Sequence, residues 1–459
     1  MTGITAYSTY IPRHRLPREV IASAWASRAT PGAKAVANFD EDSLTMAQAA
    51  VWKLLPAAPD AIYFGSTSAP HWQRSSASLI AAFCNLPAET ATADFAGSLR
   101  AGTTALRAAL DYVTAGSSAR AIVVGSDSRD GAPESAEEMI FGDAAAAIEV
   151  GNRNVIAELL AHVSRSDDFL DEWRRDADRY VTSLASKFST TRGYEANAIA
   201  AGQALLKRAS IAPENITRAA LASLDGRSHL NVAKALGIPA DRVEDSRLKE
   251  IGVTGAAMPL LLLAEALDRA QPGDVILCIG YGDGADGFLF RVTEEIAKLP
   301  RPLLAPGSVL PHSSYPIYRK LREFLREDTT GPELSNVLWE RQESQNVRLH
   351  GTFCPLCGTL QFPIAPICQN CHNRDGLVEK PLQRRGQLFT FNKDYLYDSP
   401  APPTVNAVVD LEGGGRLLCQ MTDVDESKVE IGMSVELVLR RMRGAASMHH
   451  YYWKCRPIG

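Results

Sequence analysis

Two rhythms of apolar residues run through the first 295 positions, and the switches between them predict the elements. A short apolar run at 4–12 ends in Ile11-Pro12 and reads as a strand. Positions 40–57 open with acidic residues and then set Met46, Ala49, Ala50 and Leu54 at helical spacing. A buried-strand run at 61–65, a helix at 75–83 and a further strand at 119–126 follow. A second series rhymes with the first: strand at 219–223, helix at 228–236, a long apolar helix at 254–270, strands at 273–280 and 287–292. The run 273–280 echoes 119–126, and 287–292 echoes 144–150. Alternating strands and helices predict an α/β fold with a largely parallel sheet covered on both faces, built as two halves, about 1–150 and 151–295.

The pattern changes after position 295. The stretch 296–316 carries Pro300, Pro302, Pro306, Pro311 and Pro316 and reads as a linker. Helical patterns at 317–327 and 334–345 predict a helical segment over 317–348. Short strands at 386–392, 407–411, 415–422, 434–440 and 451–456, punctuated by Pro400-Ala-Pro-Pro and Gly413-Gly-Gly, predict an OB-type β-barrel over 383–459. Between helices and barrel, Cys354-Pro-Leu-Cys357 and Cys368-Gln-Asn-Cys371 form two knuckles ten residues apart. Four thiolates on two tight turns suit a tetrahedral zinc site, which makes 349–382 a zinc ribbon. A closed four-sulfur shell leaves no position for water, so its role is structural. A redox pair would need a thioredoxin-like unit, which the pattern lacks. His372 lies outside the knuckle and is expected to be exposed.

Composition narrows the class. A chain of 459 residues exceeds one domain, and 46% hydrophobic with 22% charged residues is ordinary for a soluble globular protein. A net charge of −5 argues against a general nucleic-acid binder. The run 256–264 is too short to span a bilayer and is broken by Pro259, and the first residues show no secretory pattern, so no membrane association is expected. Cys84, Cys278, Cys419 and Cys455 show no pairing pattern, which favours a reducing, cytoplasmic location. Arg440, Arg441, Arg443, Lys454 and Arg456 lie near Tyr451, Tyr452 and Trp453. That mix could hold the adenine and phosphates of coenzyme A or make an interdomain contact, ahead of stacking nucleic-acid bases.

The stretch 93–104, Ala-Asp-Phe-Ala-Gly-Ser-Leu-Arg-Ala-Gly-Thr-Thr, runs from an aspartate through small residues into a helical pattern. Such a strand-to-helix turn presents one side chain at the positive end of a helix dipole. Together with Phe141-Gly-Asp-Ala-Ala-Ala and Gly280-Tyr-Gly-Asp-Gly-Ala-Asp-Gly, it resembles the thiolase superfamily over 3–295, most closely the hydroxymethylglutaryl-CoA synthase branch. The cysteine knuckles followed by Gly386-Gln-Leu-Phe-Thr-Phe resemble the DUF35 domains that accompany thiolase-like enzymes acting on acyl-CoA, over about 315–459. The resemblance implies duplicated halves in an αβαβα arrangement, a cleft between them, an acyl-CoA substrate and a homodimer, with a further thiolase-type subunit as an option.

That branch uses a cysteine five residues after the aspartate and three before the glycine. Counted from Asp94 and from Gly102, the position holds Leu99. The family's glutamate, histidine and asparagine positions hold Thr67, Ala222 and Val253. Acyl-enzyme chemistry needs a nucleophile that leucine cannot supply. An aldol or retro-aldol step on a β-hydroxyacyl-CoA needs only a group to move the hydroxyl proton and donors for the enolate. The thiolase-like steroid side-chain aldolases are the nearest chemical analogy. The candidate catalytic residues are Tyr281, His71, Ser98 and Thr67, with Leu99, Ala222, Val253, Gly282 and Gly284 against the substrate and backbone N–H groups of 280–287 as donors. Two alternatives stand beside this one: a catalytically silent acyl-CoA-binding subunit, and acyl transfer through Ser98, which a one-residue shift in register would place on the turn.

Overall fold

The computed structural model describes residues 1–175, 178–184, 186–301, 309–324, 335–445 and 448–458. Pro302 and Pro306 of the expected linker, the end of the first linker-proximal helix at 325–327 and residue 334 lie outside them. Two compact units emerge: one of Met1–Ala37, Asp42–Ser78 and Pro87–Tyr315, the other of Asn38–Glu41, Leu79–Leu86 and Pro316–Gly459.

The first unit is organised on nine strands: β1 (Gly3–Tyr10), β2 (Ala61–Gly65), β3 (Ala91–Phe95), β4 (Arg120–Asp127), β5 (Ala144–Gly151), β6 (Ala157–Ser166), β7 (Arg218–Leu221), β8 (Val275–Tyr281) and β9 (Gly284–Val292). Their order is β7-β8-β9-β6-β1-β5-β4-β2-β3. Read outward from the centre, β6-β9-β8-β7 matches β1-β5-β4-β2, so the halves repeat as the sequence rhythm implied. The halves join where Gly3 pairs with Glu158 and Ile4 with Ala157.

The sheet is mixed, not largely parallel. Parallel pairing is confined to the flanks, β7 with β8 and β2 with both β3 and β4. The middle pairs are antiparallel. Connections explain this. Two residues separate β8 from β9, too few for the crossover that a parallel pair requires.

The helices of this unit include α1 (Ser43–Trp52), the start of α2 (Ser76–Phe83, of which 79–83 belong to the second unit), α3 (Ala101–Thr114), α4 (Ala196–Ala209), α5 (Ser228–Leu236) and α6 (Met258–Arg269). Asp42 caps α1, accepting from Thr45 N while Thr45 Oγ1 accepts from Asp42 N. In α6, residues 258–267 are all buried, the mark of a helix enclosed on every side. Its leucines join Val123, Ile148, Phe288 and Phe290 in the main core, and α4 and α5 cover a second core around Leu205, Leu277 and Leu289. No helix among the described residues is long and apolar enough to cross a membrane.

The second unit begins with α7 (Tyr315–Phe324, of which Tyr315 belongs to the first unit) and α8 (Asn336–Asn346). A three-stranded ribbon follows, β10 (His350–Phe353), β11 (Leu360–Gln361) and β12 (Val378–Pro381). Five strands, β13 (Arg385–Asp394), β14 (Thr404–Leu411), β15 (Arg416–Gln420), β16 (Ser434–Ala445) and β17 (Met448–Pro457), pair as β15-β14-β13-β16-β17. Thr422 N donates to Cys455 O at 2.9 Å, drawing the two edge strands together toward a barrel.

Four of the basic and aromatic residues of the last strands, Arg440, Tyr451, Trp453 and Lys454, are engaged inside the unit. Arg440 is buried and bridges Asp40 (3.3 Å), Glu41 (3.0 Å) and Asp423 (2.6 Å), and Lys454 Nζ lies 2.9 Å from Asp40. Trp453 is buried with its indole N–H on Asn346 O, and Phe83 meets both Trp453 and Tyr451 edge-on. These contacts correct the expectation of a surface for adenine and phosphates. Arg440, Lys454 and Arg456 are already ion-paired inside the unit, Tyr451 and Trp453 are packed, and the Arg443 side chain lies outside the described residues.

Candidate active site and metal centre

Asp94, at the end of β3, accepts from Ser76 N (2.7 Å) and Ala77 N (2.8 Å), so it holds the start of α2. The chain then turns through Ser98 and Leu99 into α3. Leu99 is 9% exposed and Ser98 half-buried. Among the described residues, Ser98 Oγ makes one hydrogen bond, accepting from Arg100 N at 3.3 Å. No histidine, lysine or carboxylate among the described residues is hydrogen-bonded to it.

The β8–β9 hairpin tip lies directly on this turn. A Cβ on Gly282 would meet Ser98 Oγ at 2.7 Å, Arg100 N at 2.8 Å and Leu99 Cβ at 2.9 Å, so only glycine allows the approach. Gly282 N donates to Gly284 O at 3.1 Å, which removes it from the donors expected for an enolate. Arg100 reaches across to Asp283 O (3.0 Å), Arg165 O (3.0 Å) and Asp286 (3.3 Å). Buried Asp286 also accepts from Thr103 (2.9 Å) and Ser164 (2.5 Å), and so pins the first turn of α3 to the other half.

A second buried carboxylate, Asp127 at the end of β4, organises the opposite side. It accepts from Ser66 Oγ (2.9 Å), Thr67 N (2.7 Å), Thr67 Oγ1 (2.9 Å), Ser68 Oγ (2.8 Å) and Ala256 N (2.7 Å). Thr67's hydroxyl is therefore committed to Asp127. His71 is half-buried further along the same turn. Val253 is buried and bridges Phe141, and half-buried Ala222 donates its N–H to Ile279 O at 3.1 Å. Both pack into the main core, so these two positions serve packing rather than polar contact.

Tyr281 ends β8 with its ring on Tyr194, centroids 5.5 Å apart, and it is 5% exposed. Its hydroxyl donates to Asp171 Oδ2 at 2.5 Å. A Cβ on Gly193 would stand 2.4 Å from that hydroxyl, and Gly193 lies in a π-helical turn, Ser189–Glu195, that leads into α4. Burial first, then the bond to Asp171, pushes the Tyr281 phenol well above its ordinary range.

Asp171 belongs to a segment that sequence reading passed over. From 167 to 174 the chain touches several strand ends in succession. Asp167 N donates to Asp283 O (3.1 Å), Glu172 ion-pairs with Arg129, and Arg174 donates to Thr67 O (3.0 Å). Arg129 lies over the Phe141 ring at 4.1 Å. Burial raises the Glu172 carboxyl, although Arg129 opposes the shift. The only signal for this segment was its run of acids before Trp173, which has neither helical nor strand periodicity.

The first 315 residues contain two thiols, Cys84 and Cys278. Cys84 is buried within the second unit. Cys278 is fully buried in β8, and burial pushes its thiol up to about 12.

In the ribbon, the sulfurs of Cys354, Cys357, Cys368 and Cys371 all lie within 4.8 Å of one another. The separations Cys354–Cys371 (3.6 Å) and Cys357–Cys368 (3.5 Å) approach the roughly 3.8 Å edge of a tetrahedron with ~2.3 Å metal–sulfur bonds. The knuckles match bond for bond. Gly358 N donates to Cys354 O as His372 N donates to Cys368 O, and Cys354 N and Cys368 N donate to Thr359 O and Asn373 O. Gly358 (φ 73°) and His372 (φ 59°) fill the same left-handed position, so exposed His372 shapes the turn and the four cysteines form a metal-competent cluster.

Comparison with known proteins matches this geometry. Residues 206–289 match the family described as 3-oxoacyl-[acyl-carrier-protein] synthase III C terminal, and 379–440 match the ChsH2 C-terminal OB-fold domain. The chain is 31% identical over 313 residues to a hydroxymethylglutaryl-CoA synthase of Methanopyrus kandleri, covering 65% of this chain and 89% of that protein. A Picrophilus torridus hydroxymethylglutaryl-CoA synthase is 30% identical over 346 residues, with 71% and 98% covered. Among solved structures, an HMG-CoA synthase complexed with CoA superposes with TM-score 0.64 at 17% identity, covering 73% of this chain and 94% of that one. The FabH synthase III of Pseudomonas aeruginosa superposes with TM-score 0.58 at 20% identity, covering 64% and 98%, which likewise speaks to fold alone.

Proposed function

The chain belongs to the hydroxymethylglutaryl-CoA synthase family of thiolase-type proteins, joined to a DUF35-type ribbon and barrel, and within that family we propose an enzyme that makes or breaks a carbon–carbon bond by aldol chemistry on a β-hydroxyacyl-CoA. Its reaction proceeds without an acyl-cysteine. One observation carries this reading: Leu99 heads α3, and the only thiol of the first unit, Cys278, is sealed in a strand and held protonated. The relatives' names support the acyl-CoA substrate, with coenzyme A as its carrier.

Without a covalent intermediate, the protein must move the β-hydroxyl proton and stabilise a thioester enolate. Tyr281 takes the first role through Asp171. The start of α3 at Leu99 and Arg100 lends its positive dipole end to the enolate, and His71 and Ser98 complete the polar wall. Ala222, Val253 and Gly284 shape the site rather than react. Acyl transfer through Ser98 has little support, since among the described residues no base is hydrogen-bonded to its hydroxyl. The four ribbon cysteines hold one structural zinc, and the family likeness favours a homodimer in the cytoplasm.

The test is incubation of the purified protein with a series of 3-hydroxyacyl-CoAs, 3-hydroxy-3-methylglutaryl-CoA included, while trapping the aldehyde or ketone and measuring the shorter acyl-CoA. Turnover is expected, and Tyr281→Phe should slow it by about 100-fold or more. The packing roles of Leu99, Ala222 and Val253 also fit a silent acyl-CoA-binding subunit. Turnover that appears only with an added thiolase-type partner would select that second reading.

A further inference from the structure

We propose that the adjacent carboxylates Asp171 and Glu172 divide the two proton transfers of the aldol step, Asp171 acting through Tyr281 and Glu172 acting directly at the α-carbon. This assignment rests on the aldol reading above and names the groups that perform it.

Tyr281 cannot serve as a free base. Its phenol is held protonated by burial and by the bond to and charge of Asp171, with the Tyr194 ring against it. It can accept a proton only by giving up its own, and the acceptor is in place at 2.5 Å. Asp171 is half-buried at the edge of the segment, and its other oxygen accepts from Glu172 N at 2.7 Å. That bond orients the Asp171 carboxylate with one oxygen on the backbone and the other on Tyr281. Glu172 is anchored by Arg129, and Asp127 adds a like charge behind it. A half-buried carboxyl beside a guanidinium that can stabilise its anion, next in the chain to Asp171, is suited to passing a proton in either direction.

The step balances. In the cleavage direction the β-hydroxyl proton passes to Tyr281 Oη as the phenol proton passes to Asp171 Oδ2. The O–H electron pair becomes the new C=O bond, the bond between α- and β-carbons breaks, and its pair becomes the thioester enolate. The enolate α-carbon then takes the proton of Glu172, whose anion rests on Arg129. Return of one proton from Asp171 to Glu172 through water resets the site. The joining direction is the reverse.

Two assays separate this assignment from the reaction itself. Propanoyl-CoA has no β-hydroxyl and cannot be cleaved, yet Glu172 can exchange its α-hydrogens with D2O, a change read by mass spectrometry. The wild-type protein should exchange propanoyl-CoA and cleave its 3-hydroxyacyl-CoA. Glu172→Gln should slow both by about 100-fold, with partial recovery in Glu172→Asp. Tyr281→Phe and Asp171→Asn should slow cleavage far more than exchange. Independently of turnover, Asp171→Asn should bring the ultraviolet ionisation of Tyr281, identified by subtracting Tyr281→Phe, to lower pH. A folded Glu172→Gln that exchanges and cleaves at wild-type rates overturns the assignment and leaves the aldol reading standing. So does an Asp171→Asn with unchanged cleavage. Wild-type protein that neither cleaves nor exchanges overturns both.

Discussion

Asp40 offers the sharpest test of how the second unit holds together. It is fully buried, and its carboxylate meets Arg440 (3.3 Å), Lys454 (2.9 Å) and Thr422 Oγ1 (3.2 Å). Asp40→Ala leaves Arg440 with Glu41 and Asp423, but among the described residues it leaves the 4%-exposed Lys454 with only the Phe39 ring, 5.0 Å away. Removing one member of a buried pair costs about 3–5 kcal/mol, most of it the price of the stranded charge. For a unit of about 150 residues, each kcal/mol moves the midpoint by roughly 2–4 °C, so calorimetry should show a fall of about 6–20 °C. Lys454→Met in the Asp40→Ala background should recover a large part of that loss. As a control, Glu436→Ala removes a half-exposed partner of Arg456 and should cost under about 1 kcal/mol. A shift below about 2 °C for Asp40→Ala, or no recovery from Lys454→Met, would refute the stranded-charge argument.

Two other outcomes follow from the geometry. His312 stacks on His14 with centroids 4.8 Å apart, and burial, then the neighbouring imidazole, pushes it down to about 4. The unfolded chain binds this proton near pH 6.5 and the native one does not, so stability is full above that range and falls as pH drops toward 4. His312→Asn should flatten that part of the stability–pH curve, measured by urea unfolding between pH 4 and 7. Metal analysis should find about one zinc per chain. A strong chelator, or Cys368→Ser, should release it and lower the midpoint of the second unit by several degrees without changing the far-ultraviolet signal of the first.

Much of this was legible beforehand because it is local. Runs such as 61–65 and 228–236 reproduce β2 and α5 residue for residue, since hydrophobic period decides those elements. The assignment of Leu99 to the relatives' cysteine position rests on Asp94 and Gly102, which bracket it, and the knuckles were legible because four cysteines at that spacing have one common use. What escaped notice joins residues far apart in sequence. Tyr281 and Asp171 are 110 positions apart, and Asp40 and Lys454 are 414 apart. The strand direction at the centre of the sheet was also hidden, because burial on both faces erases the alternation that distinguishes antiparallel from parallel neighbours. Asp127 left a faint trace, a carboxylate closing a strand whose middle, 121–125, is apolar.

With its one thiol enclosed in β8 and a hydrocarbon just before α3, the proposed aldol reaction finds no thiolate in the first unit on which to park a fragment between turnovers. Both pieces of the carbon skeleton must be aboard at once when they are joined. Initial-rate plots in that direction should intersect rather than run parallel, and rapid quenching should find the protein's mass unchanged at every stage of the cycle.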